Sequence, residues 1–258
     1  MLMSEFRFLP RSISIALAAA GLAWAMNSYA APGSADLQTL YKKAIASPIR
    51  TDEDRAADAK RKPLEFLEFA EVRPGMRVLD VSAGAGYTTM LLALVVGDNG
   101  TVWAQSADMN ESFVKRMENY PKFNIDADVI PYDDPVPEGA NNLDLVTIIM
   151  NYHDIAYMPV DRAQMDRLLF DALKPGGHLV VMDHSAKPGS GVSDAKTLHR
   201  IDEKVVLNEF EHAGFKLEKE GDFLRNPDDP RDQPFFKMSI PTDKFALRFV
   251  KPEKTPKT

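Results

Sequence analysis

The chain has 258 residues, of which 45% are hydrophobic, and its formal net charge is −7 at neutral pH. This length suits one α/β domain with a full core, and the acidic balance argues against nonspecific binding to nucleic acid or to an anionic membrane. The chain contains no cysteine, which excludes disulfides, thiolate nucleophiles and cysteine-ligated metal sites.

The N-terminus has the pattern of an export signal. Arg7 and Arg11 supply positive charge, residues 13–26 are apolar, and small residues surround the position after Ala30. The pattern predicts cleavage after Ala30 and a periplasmic or secreted protein with no stable membrane anchor after cleavage. An uncleaved anchor is the alternative, although the apolar stretch is short for a membrane span.

The mature chain is predicted to be a single domain with a helical extension (residues 31–62), a core (63–250) and a tail (251–258). Apolar periodicity and turn residues place strands and helices in alternation along the core. The predicted strands are residues 76–81, 101–105, 125–130, 143–150, 178–182, 215–220 and 245–250. The predicted helices are residues 37–46, 63–70, 87–96, 111–120, 165–173 and 203–213. This alternation predicts a mostly parallel sheet that binds ligands at the carboxyl ends of its strands.

A glycine-containing turn follows the first predicted strand, which ends in Asp80 and Val81. Gly84 and Gly86 allow backbone dihedrals, and a close approach of a ligand, that a side chain would block. Asp80 is placed to accept hydrogen bonds from a cofactor or to order the loop. The turn therefore predicts a site where backbone N–H groups approach a nucleoside-bearing cofactor, and a tight turn without a ligand is the alternative.

Polar residues cluster after the fourth predicted strand. Asn151, Tyr152, His153 and Asp154 follow it directly. His153 or Asp154 could remove a proton from an acceptor oxygen or nitrogen, and the Asn151 amide could orient the acceptor. In the alternative interpretation, His153 and Asp154 only hydrogen-bond each other and the start of the next helix.

Further ionisable residues lie at the end of the fifth strand and before the last helix. Asp183 and His184 are interpreted as loop anchors, and residues 198–202 as a capped helix start, although they could cover the site. A zinc or iron site would form if Asp183 and His184 converged with His153 and Asp154. No spacing such as H-x-x-x-H places two ligands on one element, so no metal is predicted.

The order of these segments resembles class I S-adenosylmethionine-dependent methyltransferases from about residue 63 to residue 250. It is most similar to a group of predicted exported bacterial methyltransferases with an Asn-Tyr-His-Asp segment. The first motif of the family usually reads D-x-G-x-G-x-G, and Ser82 replaces its first glycine here. The resemblance implies an α/β, Rossmann-like class I methyltransferase fold: a mostly parallel seven-stranded sheet with helices on both faces.

The resemblance also implies S-adenosylmethionine as the cofactor and a small molecule as the acceptor. Asp108 would bind the ribose, although Gln105 or Ser106 holds the usual place, and Asp126 would contact the adenine amino group. The alternatives are an N-cap region for Asp108 and a surface acid pair for Asp126. The implied cofactor residues are Asp80, Ser82, Ala83, Gly84, Gly86, Asp108, Asp126 and Ala127. The implied acceptor-side residues are Asn151, His153 and Asp154.

Three functions follow from the sequence. The first is an S-adenosylmethionine-dependent methyltransferase with an unknown small-molecule acceptor. The second is an exported binding or accessory protein without transfer chemistry, which Ser82 and the displaced ribose acid favour. The third is a different, metal-assisted enzyme on the same fold. The sequence carries no clear signal for oligomerisation.

Overall fold

The computed structural model describes residues 33–108, 110–120 and 124–253, in which strands and helices alternate. The strands are β1 (Arg77–Val81), β2 (Thr101–Ser106), β3 (Ile125–Val129), β4 (Leu143–Ile149), β5 (Leu173–His184), β6 (Lys216–Gly221) and β7 (Lys244–Val250). They form one seven-stranded sheet in the order β3-β2-β1-β4-β5-β7-β6. Only β7 pairs antiparallel, with β5 and β6. The predicted α/β fold with a mostly parallel sheet is confirmed.

The helices are α1 (Ser34–Ile45), α2 (Asp52–Arg61), α3 (Pro63–Ala70), α4 (Tyr87–Val96), α5 (Glu111–Asn119), α6 (Tyr152–Tyr157), α7 (Arg162–Ala172), α8 (Ala195–Leu198) and α9 (Glu203–Ala213). The predicted export signal and most of the predicted tail lie outside the described residues. In the part of the chain that the structure describes, no helix combines the length and the apolar character needed to cross a membrane.

Helices cover both faces of the sheet because successive strand residues point in opposite directions. In β5, Leu179 and Val181 join the core beneath α6, α7, α8 and α9, whereas Val180 and Met182 join the core beneath α1, α3 and α4. Strands that are buried on both faces are continuous apolar runs, which is why β4 and β5 were recognisable in the sequence.

Helix α2 lies in the predicted helical extension and is fixed against the rest of the domain by ion pairs. A capping box between Thr51 and Asp54 begins the helix. Asp54 is buried and binds both terminal nitrogens of Arg116 on α5, at 2.7 and 2.6 Å. Asp58 accepts a hydrogen bond from the Tyr87 hydroxyl at 2.7 Å. The helix thus connects to the start of α4 and to α5, on either side of the glycine turn.

Strand β5 begins earlier than predicted. Residues 174–177, Lys-Pro-Gly-Gly, lie between the predicted helix (165–173) and the predicted strand (178–182), but β5 already starts at Leu173. The backbone explains the difference, because the Gly176 N–H donates to the Lys251 carbonyl and the Lys251 N–H donates to the Gly177 carbonyl. Pairing with the chain after β7 therefore extends the strand through a segment whose composition favours a turn.

Candidate active site

The glycine turn after β1 consists of residues 82–86 and is built on left-handed backbone conformations. The φ angles of Ser82, Gly84 and Gly86 are +60°, +56° and +84°. A left-handed conformation costs a residue with a side chain roughly 1–2 kcal/mol, which explains why a glycine is usual where Ser82 stands. Ser82 compensates with hydrogen bonds: its hydroxyl lies 3.0 Å from the Tyr132 hydroxyl, and its N–H donates to Gln105 Oε1 at 3.1 Å.

The two glycines of the turn have different roles. A Cβ at Gly84 would meet no atom closer than 3.9 Å, so that side of the loop is open to a ligand. A Cβ at Gly86 would lie 2.8 Å from the ring of Phe113, which is buried on α5. Gly86 is therefore required for packing of α5 against the turn, whereas Gly84 leaves space beside the backbone.

Replacing Gly86 with alanine is expected to destabilise the protein more than replacing Gly75 with alanine. Both glycines have nearly the same φ, +84° and +82°, but a Cβ at Gly75 meets nothing within 4 Å. The free energy of unfolding should be about 1–3 kcal/mol lower in Gly86→Ala than in Gly75→Ala, which is the usual cost of overpacking a core. Urea denaturation of both variants measures it, and equal losses would show that Phe113 relaxes freely.

Asp80 lies at the end of β1 and is turned into the core. It is 1% exposed, and its two oxygens accept hydrogen bonds from Thr89 on α4 at 2.6 Å and from Thr147 on β4 at 2.8 Å. Burial raises the pKa of Asp80 to about 6, although both threonine hydroxyls act in the opposite direction. Asp80 thus joins β1, α4 and β4 beneath the turn, and its predicted contact with the cofactor stays a prediction.

The raised pKa predicts how stability depends on pH. Because folded Asp80 binds its proton more tightly than the unfolded chain does, stability decreases as pH rises from the ordinary aspartate value toward 6, by about 3 kcal/mol at most. Asp80→Asn removes this contribution and retains a hydrogen-bonding side chain of the same shape. We expect denaturation at pH 4.5 and pH 7.5 to show the wild type losing stability relative to the variant as pH rises. A pH-independent difference would contradict the raised pKa.

The ends of β2 and β3 carry the other residues predicted to contact the cofactor. Gln105 is fully buried at the place of the usual ribose acid, and its Nε2 donates to the Ile130 carbonyl at 2.7 Å. Asp108 is exposed beyond β2, and the N-cap of α5 is Asn110 instead. Asp126 and Ala127 are exposed and lie inside β3, within the strand predicted for residues 125–130.

A second group of polar residues lies at the carboxyl ends of β4 and β5. His153 is 1% exposed, its Nδ1 lies 2.6 Å from Asp183 Oδ1, and its backbone N–H donates to Asp183 Oδ2 at 2.8 Å. Asp154 Oδ1 lies 3.3 Å from His153 Nε2 and 2.9 Å from His199 Nδ1. Burial alone would lower the pKa of His153, but Asp183 and Asp154 more than offset this and raise it. The structure thus brings His153 and Asp154 together with Asp183, which was interpreted as a loop anchor, and His199, which was interpreted as part of a capped helix start.

Three residues beside this group, Asn151, Tyr152 and His184, have different environments. The Oδ1 atom of Asn151 is buried without a hydrogen-bond partner among the described residues, so it is available to a ligand. The Tyr152 hydroxyl donates to Glu209 on α9 at 2.7 Å, which makes it a packing residue. His184 stacks on Phe235 with ring centroids 4.2 Å apart, and burial lowers its pKa well below the ordinary value.

A cavity of about 430 Å³ opens beside His184, between α2 and the chain around β7. Its walls are mostly apolar, with three cationic residues, Lys60, Arg61 and Lys244. Arg61 and Lys244 form no ion pair with any residue in the described ranges, and burial lowers the pKa of Lys244 to about 8. The Arg61 guanidinium also lies 4.7 Å from the centre of the Tyr87 ring, so the cavity adjoins the start of α4. The apolar walls come from Ala57, Met150, Phe235, Phe236, Met238, Ile240 and Pro241.

The cavity wall that carries Phe235 and Phe236 is held by a buried ion pair. Arg200 and Asp229 have fully buried side chains and are joined by hydrogen bonds of 2.8 and 3.2 Å. Arg200 also donates to the Gln233 carbonyl at 2.9 Å. Residues 225–234 are rich in proline and aspartate, which predicts a surface loop, but the structure anchors this loop and thereby positions the two rings.

Comparison with solved structures supports the fold. A SAM-dependent methyltransferase from Aquifex aeolicus superposes with a TM-score of 0.56 at 17% identity, covering 83% of this chain and 97% of that chain. The [4+2]-cyclase SpnF also gives a TM-score of 0.56, at 15% identity, with 86% and 98% covered. At these identities the likeness shows the fold alone.

Comparison of sequences identifies the family. The ubiquinone/menaquinone biosynthesis C-methyltransferase UbiE from Teredinibacter turnerae is 32% identical over 143 residues, which are 52% of this chain and 53% of that protein. The chain thus spans about half the length of the curated relatives that it matches. The profile of the family described as ubiE/COQ5 methyltransferase matches residues 60–202, more than half of the chain. This match confirms the predicted class and S-adenosylmethionine as its cofactor, and the chain belongs to the ubiE/COQ5 methyltransferase family.

Proposed function

We propose that the protein transfers a methyl group from S-adenosylmethionine to a ring carbon of an aromatic acceptor of the quinol type. The observation that carries this proposal is that the apolar cavity borders both other features: Arg61 in its wall contacts Tyr87, directly after the glycine turn, and His184 in its wall contacts His153 in the polar group. Parallel α/β sheets bind ligands at the carboxyl ends of their strands, where all three features lie. The C-methyltransferase named among the relatives supports the choice of carbon as the methylated atom.

The turn fits the proposed cofactor. Gly84 leaves the loop open on one side, and Gly84 and Ala85 are exposed. Residues 82–86 precede the start of α4, where unpaired backbone N–H groups are available to polar ligand atoms. When bound, S-adenosylmethionine supplies a methyl group on a positively charged sulfur. The N–H groups of Ser82 and Ala83 already donate to Gln105, so the backbone at Gly84 is the part of the turn that we propose contacts the cofactor.

The cavity fits an apolar aromatic acceptor that becomes anionic. Phe235 and Phe236 offer ring faces and edges against which an aromatic ring packs. Arg61 and Lys244 form a positive wall that stabilises a phenolate over a neutral phenol. A phenolate is the form in which the neighbouring ring carbon is most nucleophilic. The group around His153 is where the acceptor hydroxyl would lose its proton.

Cofactor binding is the first test. Full-length protein should bind S-adenosylmethionine or its demethylated product with a micromolar dissociation constant, or roughly −8 kcal/mol, in a calorimetric titration. Adenosine should bind at least about tenfold more weakly, because it lacks the charged amino-acid part. Absence of binding by both sulfur compounds at millimolar concentration would refute the proposed function and favour an accessory role.

Methyl transfer is the second test, and a matched pair of acceptors makes it specific. A hydroquinone with a free carbon beside a hydroxyl should incorporate label from methyl-labelled cofactor. The same hydroquinone with that carbon already methylated should not. Equal labelling of both compounds would indicate transfer to oxygen, and labelling of neither, with the cofactor bound, would leave a binding role. The cyclase among the fold neighbours shows that the fold alone does not establish methyl transfer.

We further propose, from the sequence pattern, that residues 1–30 are a cleavable export signal. N-terminal sequencing of protein from fractionated cells tests this directly. A periplasmic form that begins at Ala31 would support export, and a cytoplasmic form that retains residues 1–30 would contradict it.

A further inference from the structure

The Nε2 atom of His153 is buried and has no hydrogen-bond partner among the described residues. Its ring partner, Nδ1, lies 2.6 Å from Asp183, whose side chain is fully buried and also accepts from the His184 N–H at 2.7 Å. Asp183 therefore retains the proton on Nδ1 and leaves the lone pair on Nε2. That lone pair faces Asp154 Oδ1 at 3.3 Å, which is repulsive unless a cation or a proton lies between the two atoms.

A third side chain completes the arrangement. His199 Nδ1 lies 2.9 Å from Asp154 Oδ1, and one ligand atom from each of the three residues lies within 4.8 Å of the others. Two ligand atoms that each lie about 2.0–2.2 Å from the same metal ion are about 2.8–3.6 Å from each other when the ligand–metal–ligand angle is between octahedral and tetrahedral. The distances from Asp154 Oδ1 to His153 Nε2 (3.3 Å) and to His199 Nδ1 (2.9 Å) both fall in this range. A carboxylate that holds the other nitrogen of a ligating histidine, as Asp183 does, is the usual support of such a ligand.

We propose that His153 Nε2, Asp154 and His199 bind a divalent transition-metal ion of the zinc type. Two imidazoles and one carboxylate favour Zn²⁺, Fe²⁺ or Co²⁺, whereas Mg²⁺ and Ca²⁺ prefer sites made of oxygen atoms. Three protein ligands leave a tetrahedral ion with one free position, as in catalytic zinc sites. If the proposed function holds, an ion held there would lower the pKa of an acceptor hydroxyl at this position and so help the group around His153 to deprotonate it. The alternative is an imidazolium at His153 with no metal.

The test measures metal binding without cofactor or acceptor. Full-length protein is freed of metal with a chelator and titrated calorimetrically with Zn²⁺. We expect one ion per chain with a micromolar or tighter dissociation constant, and no binding of Mg²⁺ at millimolar concentration. Asp154→Asn and His199→Gln should each weaken Zn²⁺ binding by at least about 100-fold, which corresponds to about 2.7 kcal/mol. Both residues are partly exposed, so these variants are expected to fold.

A matched control is available elsewhere on the sheet. His178 Nε2 lies 3.2 Å from Glu218, a histidine–carboxylate pair without a second histidine, and His178→Gln should leave Zn²⁺ affinity unchanged. Co²⁺ provides a second readout, because its visible absorption reports tetrahedral coordination and should disappear in both site variants. Zn²⁺ binding weaker than about 100 µM in the wild type, or unaffected by both substitutions, would overturn the metal site. Metal binding without methyl transfer would refute the proposed function but not the site.

Discussion

Gly84→Val is expected to weaken S-adenosylmethionine binding by at least about 100-fold, or about 2.7 kcal/mol, while the protein remains folded. The side chain would enter the open side of the turn, where no protein atom lies within 3.9 Å of the added Cβ. The valine side chain would therefore occupy space needed by the cofactor and would not clash with the core. Calorimetric titration of the purified variant measures the loss.

Gly139→Val separates this effect from backbone strain. Gly139 also has a positive φ, +81°, with nothing within 4 Å of an added Cβ, and it lies in the loop before β4. Both variants should lose thermal stability because valine is strained in the left-handed region. Only Gly84→Val should lose cofactor affinity. Unchanged affinity in a folded Gly84→Val protein would remove this loop from the cofactor site.

His153→Gln and Asp183→Asn are expected to reduce turnover by about 100-fold to 10,000-fold, the usual range for loss of a proton-transferring group. Asp183→Asn retains the shape of the side chain but no longer favours the proton on Nδ1 of His153. Cofactor affinity should stay within a few-fold of the wild type, because His153 follows β4 and Asp183 lies at the end of β5, and neither is in the turn. The measurement is kcat with the hydroquinone acceptor at saturating cofactor.

His178→Gln is the matched control for these variants. It removes a histidine from the middle of β5, the strand that carries Asp183 at its end, and the His178 ring lies against Glu218. Turnover should be unaffected in the His178→Gln variant. If His153→Gln and Asp183→Asn also keep turnover within a few-fold of the wild type, the pair has only a structural role.

Much of the fold was predictable because its elements have strong local signals. Helix α9 is bounded as predicted, since Asp202 caps its start and Gly214 ends it. The short helices α6 and α8 were missed because segments of six and four residues contain too few apolar positions to show periodicity. Helix α2 was missed because its stability comes from ion pairs and not from an apolar face.

The site was only partly predictable. The turn and the residues after β4 stand at strand ends, and position along the chain was enough to identify them. His199 is 45 residues from Asp154, and no local pattern connects the two. The adjacent phenylalanines at 235 and 236 were a usable signal, because two large apolar residues in a Pro- and Asp-rich loop need an apolar neighbour. The contact of Phe235 with His184 depends on the distant Arg200–Asp229 pair, which sequence spacing does not reveal.

The sheet order has a consequence for solubility. An open sheet ends in two strands with unpaired backbone groups, here β3 and β6, and such edges can recruit strands from other molecules into fibres. Both edges carry charge: Asp126 and Asp128 on β3, and alternating lysines and glutamates on β6. A strand added at β3 would bring further chain against these carboxylates at a cost in repulsion and desolvation. Asp126 therefore discourages aggregation independently of any contact with adenine, and neutralising both acids of β3 should make the protein prone to form fibres.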